Sequence, residues 1–402
     1  MRATPFLCSA AAAAVLLAAA PASAQFLEPD VEVLTTLEAE HLGDFFGFVG
    51  EAIGDVDGDG AADYIIGAPQ SGVSALFGGA AYVYSGADGT LLNVVRGGFI
   101  DFLGHAVGGG GDLNGDGTPD YVIGAPNLAG FPGRVLAYSG ADHSLLWQRV
   151  DPPLTFLGYD VHIAGDVDGD GRSDVIAGAP LDSTVALRAG RVDVLSGVDG
   201  SPIWTTFGPQ AEANLGTAVG GLGDLDRDGV PEQAAGALGV VRQIGNGRTR
   251  GGAAWILDGG DGSIVRELQP NGTASAFGVY FLSDAGDLDG DGTRDVFAGD
   301  YLDAQQGNVA SGRAYVFSGA EDERLHSWRA ENPGDGFGDG RGILADVDGD
   351  GGDDVLIASY LYSEVVPGGG KAYVVSGRNG KSLRTMTSLV PGASIGVDAV
   401  AV

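Results

Sequence analysis

Thiols are all but missing from this chain: its 402 residues include one cysteine, Cys8, with only two methionines and five histidines. Cys8 lies in an N-terminal segment expected to be removed. The rest of the chain then has nothing with which to form a disulfide, a zinc–thiolate site or an iron–sulfur ligand set. Cations are scarce as well, with 21 Lys and Arg against 54 Asp and Glu and a formal charge of −33. Such a balance argues against nucleic acid or an anionic membrane as the main partner. After Ala24 no apolar run approaches the length of a membrane-spanning helix. Disorder is the usual consequence of so much acid, but 44% hydrophobic and only 19% charged residues leave ample material for a core.

Arg2, the apolar stretch from Ala10 to Ala20, and the small residues Ala22, Ser23 and Ala24 have the layout of a secretory signal peptide. Cleavage after Ala24 leaves residues 25–402, read as one domain that is secreted, periplasmic or held at a cell surface.

What is abundant is one acidic loop, DxDxDGxxD, written six times. The copies begin at Asp55, Asp112, Asp166, Asp224, Asp287 and Asp346, at intervals of 57, 54, 58, 63 and 59 residues. A steady period of this length signals a repeat architecture. Within the first unit, apolar runs lead up to Ile53, from Tyr64 to Ile66, from Ala80 to Tyr84 and from Leu91 to Val95. None is long enough for an ordinary helix, and turn residues separate them. Asp88 with Gly89 suits a tight hairpin between the third and fourth runs, and Asp199 with Gly200, Asp261 with Gly262 and Asn379 with Gly380 repeat it. Each unit therefore reads as a four-stranded antiparallel sheet, strands A to D. Six such sheets bury their faces by radial stacking, so the expected fold is an all-β propeller. Many of the 72 glycines recur at fixed offsets in these units, which marks turns and close backbone approach, not low complexity.

The candidate metal ligands are Asp55, Asp57, Asp59 and Asp63 in the first loop and Asp112, Asn114, Asp116 and Asp120 in the second. The third loop offers Asp166, Asp168, Asp170 and Asp174, and the fourth Asp224, Asp226, Asp228 and Glu232. The fifth offers Asp287, Asp289, Asp291 and Asp295, and the sixth Asp346, Asp348, Asp350 and Asp354. Alternate residues of a tight loop can point inward, and an all-oxygen set of this size suits Ca²⁺ better than Mg²⁺, which demands a stricter octahedron. An EF-hand starts in the same way but needs a carboxylate at position twelve and flanking helices. Here position twelve is Ile66, Ile123, Ala177, Ala235, Ala298 and Ile357. The fourth loop departs most, with Arg227 where glycine is usual and Glu232 a methylene longer than aspartate.

Phe46 with Gly47, followed by Gly67, Ala68 and Pro69, resembles the FG-GAP repeat of integrin alpha-subunit β-propellers, and the acidic loop is similar to that family's calcium loop. The likeness runs along nearly all of residues 25–402. Leu103, Leu157 and Leu215 replace the aromatic before Gly104, Gly158 and Gly216. Phe277 with Gly278 and Phe337 with Gly338 restore it while lacking the later proline. The resemblance implies extracellular calcium binding and a macromolecular partner, protein or glycan, often in adhesion. That family's propeller has seven blades, whereas six units are complete here. Val31 to Leu37 resembles a strand D, and Ile395 with Gly396 resembles the opening of a strand A, so closure through the two termini is expected, with six or seven blades.

Antiparallel order puts the A–B acidic loops and C–D hairpins on one face and the B–C and D–A loops on the other. Partner specificity is expected on the second, more variable face. It carries Leu76 and Phe77, Phe131, and Tyr360 with Tyr362. Its longest loop, Leu238 to Gly252, holds Arg242, Arg248 and Arg250, which can receive a carboxylate, a sulfate or a uronic acid, or can simply neutralise neighbouring acids. Trp147, Trp204 and Trp328 fall in or near strand D, where blade packing accounts for them without a quinone cofactor. His41, His105, His143, His162 and His326 are scattered, and no nucleophile elbow, zinc pattern or phosphate loop is present. No catalytic residue is assigned. The leading expectation is a calcium-stabilised binding or adhesion module. The competing ones are a carbohydrate-active enzyme, such as a calcium-dependent polysaccharide lyase, and a purely structural surface protein.

Overall fold

In the computed structural model the described residues are 26–29, 31, 36–41, 43–244, 247–271, 274–304 and 310–395, without the side chains of 242–249, 341 and 342. The expected signal peptide lies outside them.

Among the described residues twenty-four strands form six four-stranded sheets, and in each sheet the spatial order is the chain order. The first blade is β1 (Val49–Gly54), β2 (Asp63–Ala68), β3 (Ala80–Tyr84) and β4 (Leu91–Arg96). The second is β5 (Ala106–Gly111), β6 (Asp120–Ala125), β7 (Pro132–Tyr138) and β8 (Leu145–Pro153); the third is β9 (Val161–Gly165), β10 (Asp174–Ala179), β11 (Arg191–Leu195) and β12 (Pro202–Phe207). The fourth is β13 (Leu215–Gly223), β14 (Glu232–Ile244), β15 (Gly247–Leu257) and β16 (Ile264–Glu267); the fifth is β17 (Leu282–Gly286), β18 (Asp295–Asp300), β19 (Arg313–Phe317) and β20 (Arg324–Arg329). The sixth is β21 (Phe337–Leu344), β22 (Asp354–Ser359), β23 (Lys371–Ser376) and β24 (Ser382–Thr387). This is the all-β propeller of antiparallel four-stranded blades that the repeat predicts. No helix among the described residues is long and apolar enough to cross a membrane.

Burial follows from the blades' two-sidedness. Alternate residues of β2 and β3 point to opposite faces, so Ile65, Ala81 and Val83 meet Val107, Tyr121 and Ile123 of the second blade. Equivalent cores join blades two and three around Trp147 and Leu157, and three and four around Trp204 and Trp255. Phe277 with Tyr315 and Phe297 with Phe337 centre the last two. The remaining face of the first blade buries Tyr82 and Tyr84 against Leu37 and Phe46, and that of the sixth buries Leu356 and Val374 against Leu344 and Met386.

The paired glycine signatures have a steric origin. Gly104 adopts φ +82°, and a Cβ on Gly67 would lie 2.2 Å from the Gly104 carbonyl oxygen. The opening of one blade thus presses directly on strand B of the blade before it, and only glycine fits both sides of that contact.

Successive blades are joined by one repeated hydrogen bond. The amides of Leu103, Leu215 and Phe337 donate to the carbonyls of Gly78, Ala189 and Ser311, each in the B–C loop of the preceding blade. Ile395 repeats it, donating to Gly369 at 3.1 Å. Ile395 therefore stands where a further strand A would open, as its sequence suggests; Gly396 to Val402 lie outside the described residues. At the other terminus, Phe26 bridges Ser388, and the Leu27 amide donates to the Thr387 carbonyl at 2.8 Å. The Glu28 carboxylate accepts from Thr385 Oγ1 and from both the amide and Oγ1 of Thr387. Phe26 to Glu28 are thereby held along β24, so these residues and Ile395 both lie at the sixth blade. Most of the strand expected over Val31 to Leu37 lies outside the described residues.

Asp88 and Gly89 stand in the C–D connection between Tyr84 and Leu91, as expected. It runs from Ser85 to Thr90, closed by Ser85 N to Thr90 O and Gly89 N to Ser85 O at 2.9 Å, with positive φ at Gly89 and not at Asp88. Its length places Ser85 and Gly86 over the acidic loop.

Candidate metal centres

Each acidic loop is shaped by its own backbone amides. In the first, Asp55 Oδ1 accepts from Gly58 and Asp59, and Oδ2 from Gly60. Asp57 Oδ1 accepts from Asp59 at 3.0 Å and Asp59 Oδ1 from Ala61 at 2.8 Å. The fourth acid, Asp63, is fully buried at the start of β2; its Oδ2 takes the Val56 amide at 2.8 Å, and its Oδ1 takes the Gly86 amide at 2.9 Å. Hairpin glycine and loop carboxylate are paired again as Gly140 with Asp120, Gly197 with Asp174, Gly319 with Asp295 and Gly377 with Asp354. These bonds put the A–B loops and C–D hairpins on one face, as strand order requires.

The geometry gathers carboxylates. Asp55, Asp57 and Asp63 present oxygens within 4.8 Å of one another, as do Asp166, Asp168 and Asp174. So do Asp224, Asp226 and Glu232; Asp287, Asp289 and Asp291; and Asp346, Asp348 and Asp354. In the second loop Asn114 occupies the second place and keeps the frame: its Oδ1 accepts the Asp116 amide at 2.8 Å, while its Nδ2 donates to Asp116 Oδ2. In the fourth, the longer Glu232 still accepts the Leu225 amide, so the extra methylene is accommodated. Arg227 takes φ +67° in the place of glycine, and its Nη2 donates to Thr293 Oγ1 of the fifth loop at 3.2 Å. Asp59, Asp170, Asp228 and Asp350 stand at the third position; Asp350 Oδ2 accepts from Ser376 Oγ at 3.1 Å.

Burial beside other acids makes these groups reluctant to ionise. Desolvation pushes Asp174 up to about 6 and Asp295 up to about 7, against the inward hydrogen bonds that favour the charged form. Asp120, Glu232 and Asp354 shift in the same direction for the same leading reason. A cation among the oxygens relieves that cost, and a donor set composed wholly of hard oxygens fits Ca²⁺. The chemistry of the residues present thus fits the ion that the loop pattern predicts.

Three guanidiniums, of which the loop pattern singled out only Arg227, lie between neighbouring loops. Arg172 of the third loop lies against Gly115 of the second, Arg227 reaches the fifth, and Arg378 lies against Gly290 while its Nη1 donates to the Asp350 carbonyl at 3.2 Å. Arg172 and Arg227 stand within acidic loops in the sequence, whereas Arg378 lies in the C–D hairpin of the sixth blade, far from any acidic loop in the chain.

The opposite face is constructed differently. Leu76, Phe77 and Phe131 are exposed on it, whereas Tyr362 is buried beside Lys371. Apart from His143 and Arg227, the non-glycine residues with positive φ fall in its B–C loops, D–A links or strand A openings. The segment expected as an irregular loop from Leu238 to Gly252 is a β-hairpin: β14 and β15 run on past the blade, with Arg242 opposite Thr249 and Gln243 opposite Arg248. Arg250 is committed to Glu212, donating to its carboxylate and its carbonyl at 2.7 Å each. The side chains of Arg242 and Arg248 lie outside the described ones.

Trp147, Trp204 and Trp328 donate their indole N–H groups to the carbonyls of Gly197, Gly259 and Gly380 on the following blade, which is the packing role expected of them. Burial pushes His105 down to about 4, and its Nδ1 donates to the Tyr159 carbonyl. His143 takes the positive φ that glycine supplies in other hairpins and lies tilted against Tyr121, ring centroids 6.0 Å apart. His162 lies 3.9 Å from Asp160, and His41 3.9 Å from Asp44. His326 packs on Trp328.

Comparison with known proteins points the same way. The family model of the FG-GAP repeat matches residues 157–195. Human integrin alpha-IIb is 33% identical over 221 residues, 50% of this chain and 20% of the relative. Integrin alpha-V of Gallus gallus is 32% identical over 216 residues, 49% of this chain and 20% of the relative. The chain thus spans about a fifth of the length of these curated relatives. Among solved structures, the rhamnogalacturonan lyase YesW is 17% identical, covering 83% of this chain and 57% of its own, at a TM-score of 0.44. That overlay is too loose to support an argument.

Proposed function

We propose that this FG-GAP repeat protein, similar to the integrin alpha subunits, is an exported binding or adhesion module whose propeller is fastened by calcium and whose partner is an extracellular protein or glycan. The observation that carries this reading is the repetition of one acidic frame on a single face, five of its six copies tied to their own hairpin glycine by an amide bond. Asp55, Asp57, Asp59 and Asp63, and their counterparts in the other five loops, would hold the ions. Bound calcium would supply the positive charge that these buried acids otherwise lack, locking strand A, strand B and the C–D hairpin of each blade together. On this reading the ions are structural, no residue is assigned a catalytic role, and the partner surface is sought away from the acidic face.

Two measurements test it. Calcium titration followed by calorimetry should show several binding events, and exhaustive chelation should lower the melting temperature by many degrees, since ligand bound only to the native state stabilises by mass action. An unchanged melting curve in chelator would refute the metal assignment. A glycan and matrix-protein array probed with the calcium-loaded chain should return a saturable partner without turnover; release of unsaturated sugar products would instead establish a lyase.

A further inference from the structure

Over blades one to three, the face opposite the acidic loops is apolar and almost without free charge. Leu76 and Phe77 in the first B–C loop, Phe131 in the second, and Val185 and Leu187 in the third are exposed. Phe99 and Leu154 are exposed on the links between these blades. Hydrogen bonds join the segments into one arc: the Leu76 carbonyl accepts from Ile100, the Asp101 carbonyl from Asn127, the Thr155 carbonyl from Leu181 and the Leu187 carbonyl from Glu212. The exposed hydrophobic residues of the arc leave on the order of 800 Å² open, more than the largest patch of a typical monomer and about what one partner contributes to a standard interface. The acids of the arc are meanwhile neutralised within the chain. Asp101 pairs with Arg134, Asp151 and Asp182 share Arg191, Glu212 holds Arg250, and Asp160 is buried beneath the Val161 and Val219 amides. Arg188 alone is exposed without a partner among the described residues. Leu154 has φ +73° and is 63% exposed, so neither backbone ease nor burial in its own chain accounts for a bulky side chain there.

We infer that this arc seats a second copy of the chain, in a two-fold dimer centred on blade two. Charge favours that occupant. A chain of formal charge −33 repels its own copies except where it presents neutral surface. Contact through the arcs turns both acidic faces outward, about 40 Å apart, the length of two six-residue strands end to end. That is far beyond the roughly 8 Å over which charges act at physiological salt. The arc is also self-complementary. B–C loops of eleven residues in blades one and three, 69–79 and 180–190, flank one of six residues, 126–131. A two-fold axis through the short loop sets the long loop of blade one on that of blade three in the other copy. Phe77 and Arg188 hold the same place in those loops, with φ +48° and +46°, two residues before Gly79 and Gly190. The axis therefore brings the Arg188 guanidinium of one copy to the Phe77 ring of the other, a cation–π pair made twice. The β14–β15 hairpin and the loops of blades five and six stay clear for the partner of the binding module, and the dimer does not depend on that reading.

The experiment is sedimentation velocity of the calcium-loaded full chain over a concentration series at low and high salt. The chain should become dimeric as concentration rises, and added salt should strengthen the dimer, because it screens repulsion and leaves apolar contact intact. Leu76→Glu and Leu187→Glu should each weaken dimerisation about ten-fold or more, whereas Val241→Glu, on the projecting hairpin, should not. Melting curves control for folding, and since the two leucines stand in separate loops, either variant decides if the other misfolds. Opposite charges at one position test the axis: Phe77→Glu, facing Arg188, should dimerise better than Phe77→Lys, although the acidity of the chain as a whole favours an added cation. A monomer at every concentration and salt would overturn the inference, as would a dimer indifferent to both leucine variants. Equal loss in Phe77→Glu and Phe77→Lys would overturn the two-fold arrangement. Flotation of a monomeric chain with phosphatidylcholine vesicles, abolished by Leu187→Glu, would overturn the dimer and give the arc to a lipid surface.

Discussion

Tyr159 and Tyr280, 121 residues apart in the chain, meet hydroxyl to hydroxyl at 2.7 Å. They belong to the openings of blades three and five, which do not adjoin, so the bond spans the middle of the propeller. Their rings stack at 6.1 Å, and His105 extends the group into blade two, 4.6 Å from the Tyr159 ring. The inner strands pack chiefly on those of adjoining blades, which makes this contact a direct brace between distant repeats. Tyr159→Phe and Tyr280→Phe should each cost about 1 kcal/mol. Because they remove the same bond, the double variant should be little worse than either single one. Thermal melting of the four proteins would reveal additivity, the result that contradicts the brace.

Within one loop, two aspartates should respond in opposite ways to substitution by asparagine. Asp168 is exposed, and its place is already taken by Asn114 in the second loop without loss of the frame. Asp168→Asn should therefore leave the chelated protein within about 0.5 kcal/mol of wild type while weakening calcium binding. Asp174 is buried and accepts amides on both oxygens, from Val167 and Gly197. Asparagine would turn an N–H toward one of those donors, so Asp174→Asn should cost about 1–3 kcal/mol whether or not calcium is present. Urea unfolding with and without chelator separates the two cases.

Much of this fold was legible because its determinants lie within one repeat. The spacing of Asp55 from Asp63, the runs around Ile65 and Val83, and the Asp88–Gly89 turn are local, so a periodic pattern exposes them. Where the pattern was silent, the missing information was relational: nothing near Asp88 says that the hairpin is long enough for Gly86 to reach Asp63. The Tyr159–Tyr280 bond and the seat of Arg227 beside Thr293 depend on positions tens of residues apart. The extension of β14 and β15 was hidden because Gly239, Gly245 and Gly247 read as loop, although a hairpin that leaves the blade tolerates glycine freely.

A buried acid away from the loops should report on pH. Asp300, at the end of β18, has no exposed surface; its Oδ1 accepts the Ala276 amide at 2.8 Å, and its Oδ2 has no hydrogen-bond partner among the described residues. Burial is the leading cause that pushes it up to about 6, and Asp303 adds to it. A folded-state value above the unfolded one means that the native state holds the proton more tightly. Its contribution to stability is full below about pH 4 and is lost as pH rises through about 6. The size is at most on the order of 3 kcal/mol, for a shift of about two units. Asp300→Asn cannot titrate, so its stability relative to wild type should climb between pH 4 and 6 and level off above. Taking the difference between the two proteins cancels the metal ligands that titrate in the same range. A flat difference would mean that Asp300 ionises normally.

The hairpin glycines make a sharper demand than their turn alone. Gly200 adopts φ +72°, and a Cβ there would lie 2.6 Å from Cε3 of Trp147, whose N–H is fixed to the Gly197 carbonyl of the same hairpin. Gly262 stands in the same relation to Trp204, at 2.5 Å. Gly200→Ala therefore faces both the left-handed backbone cost, about 1 kcal/mol, and overpacking of an indole that cannot retreat, about 1–3 kcal/mol. Gly58, with φ +80° but open space around it, faces the backbone cost alone. In chelator, where metal binding cannot contribute, Gly200→Ala should lower the urea midpoint two to four times as far as Gly58→Ala. Equal effects would show that Trp147 moves aside, and that the contact between blades two and three is looser than its hydrogen bond implies.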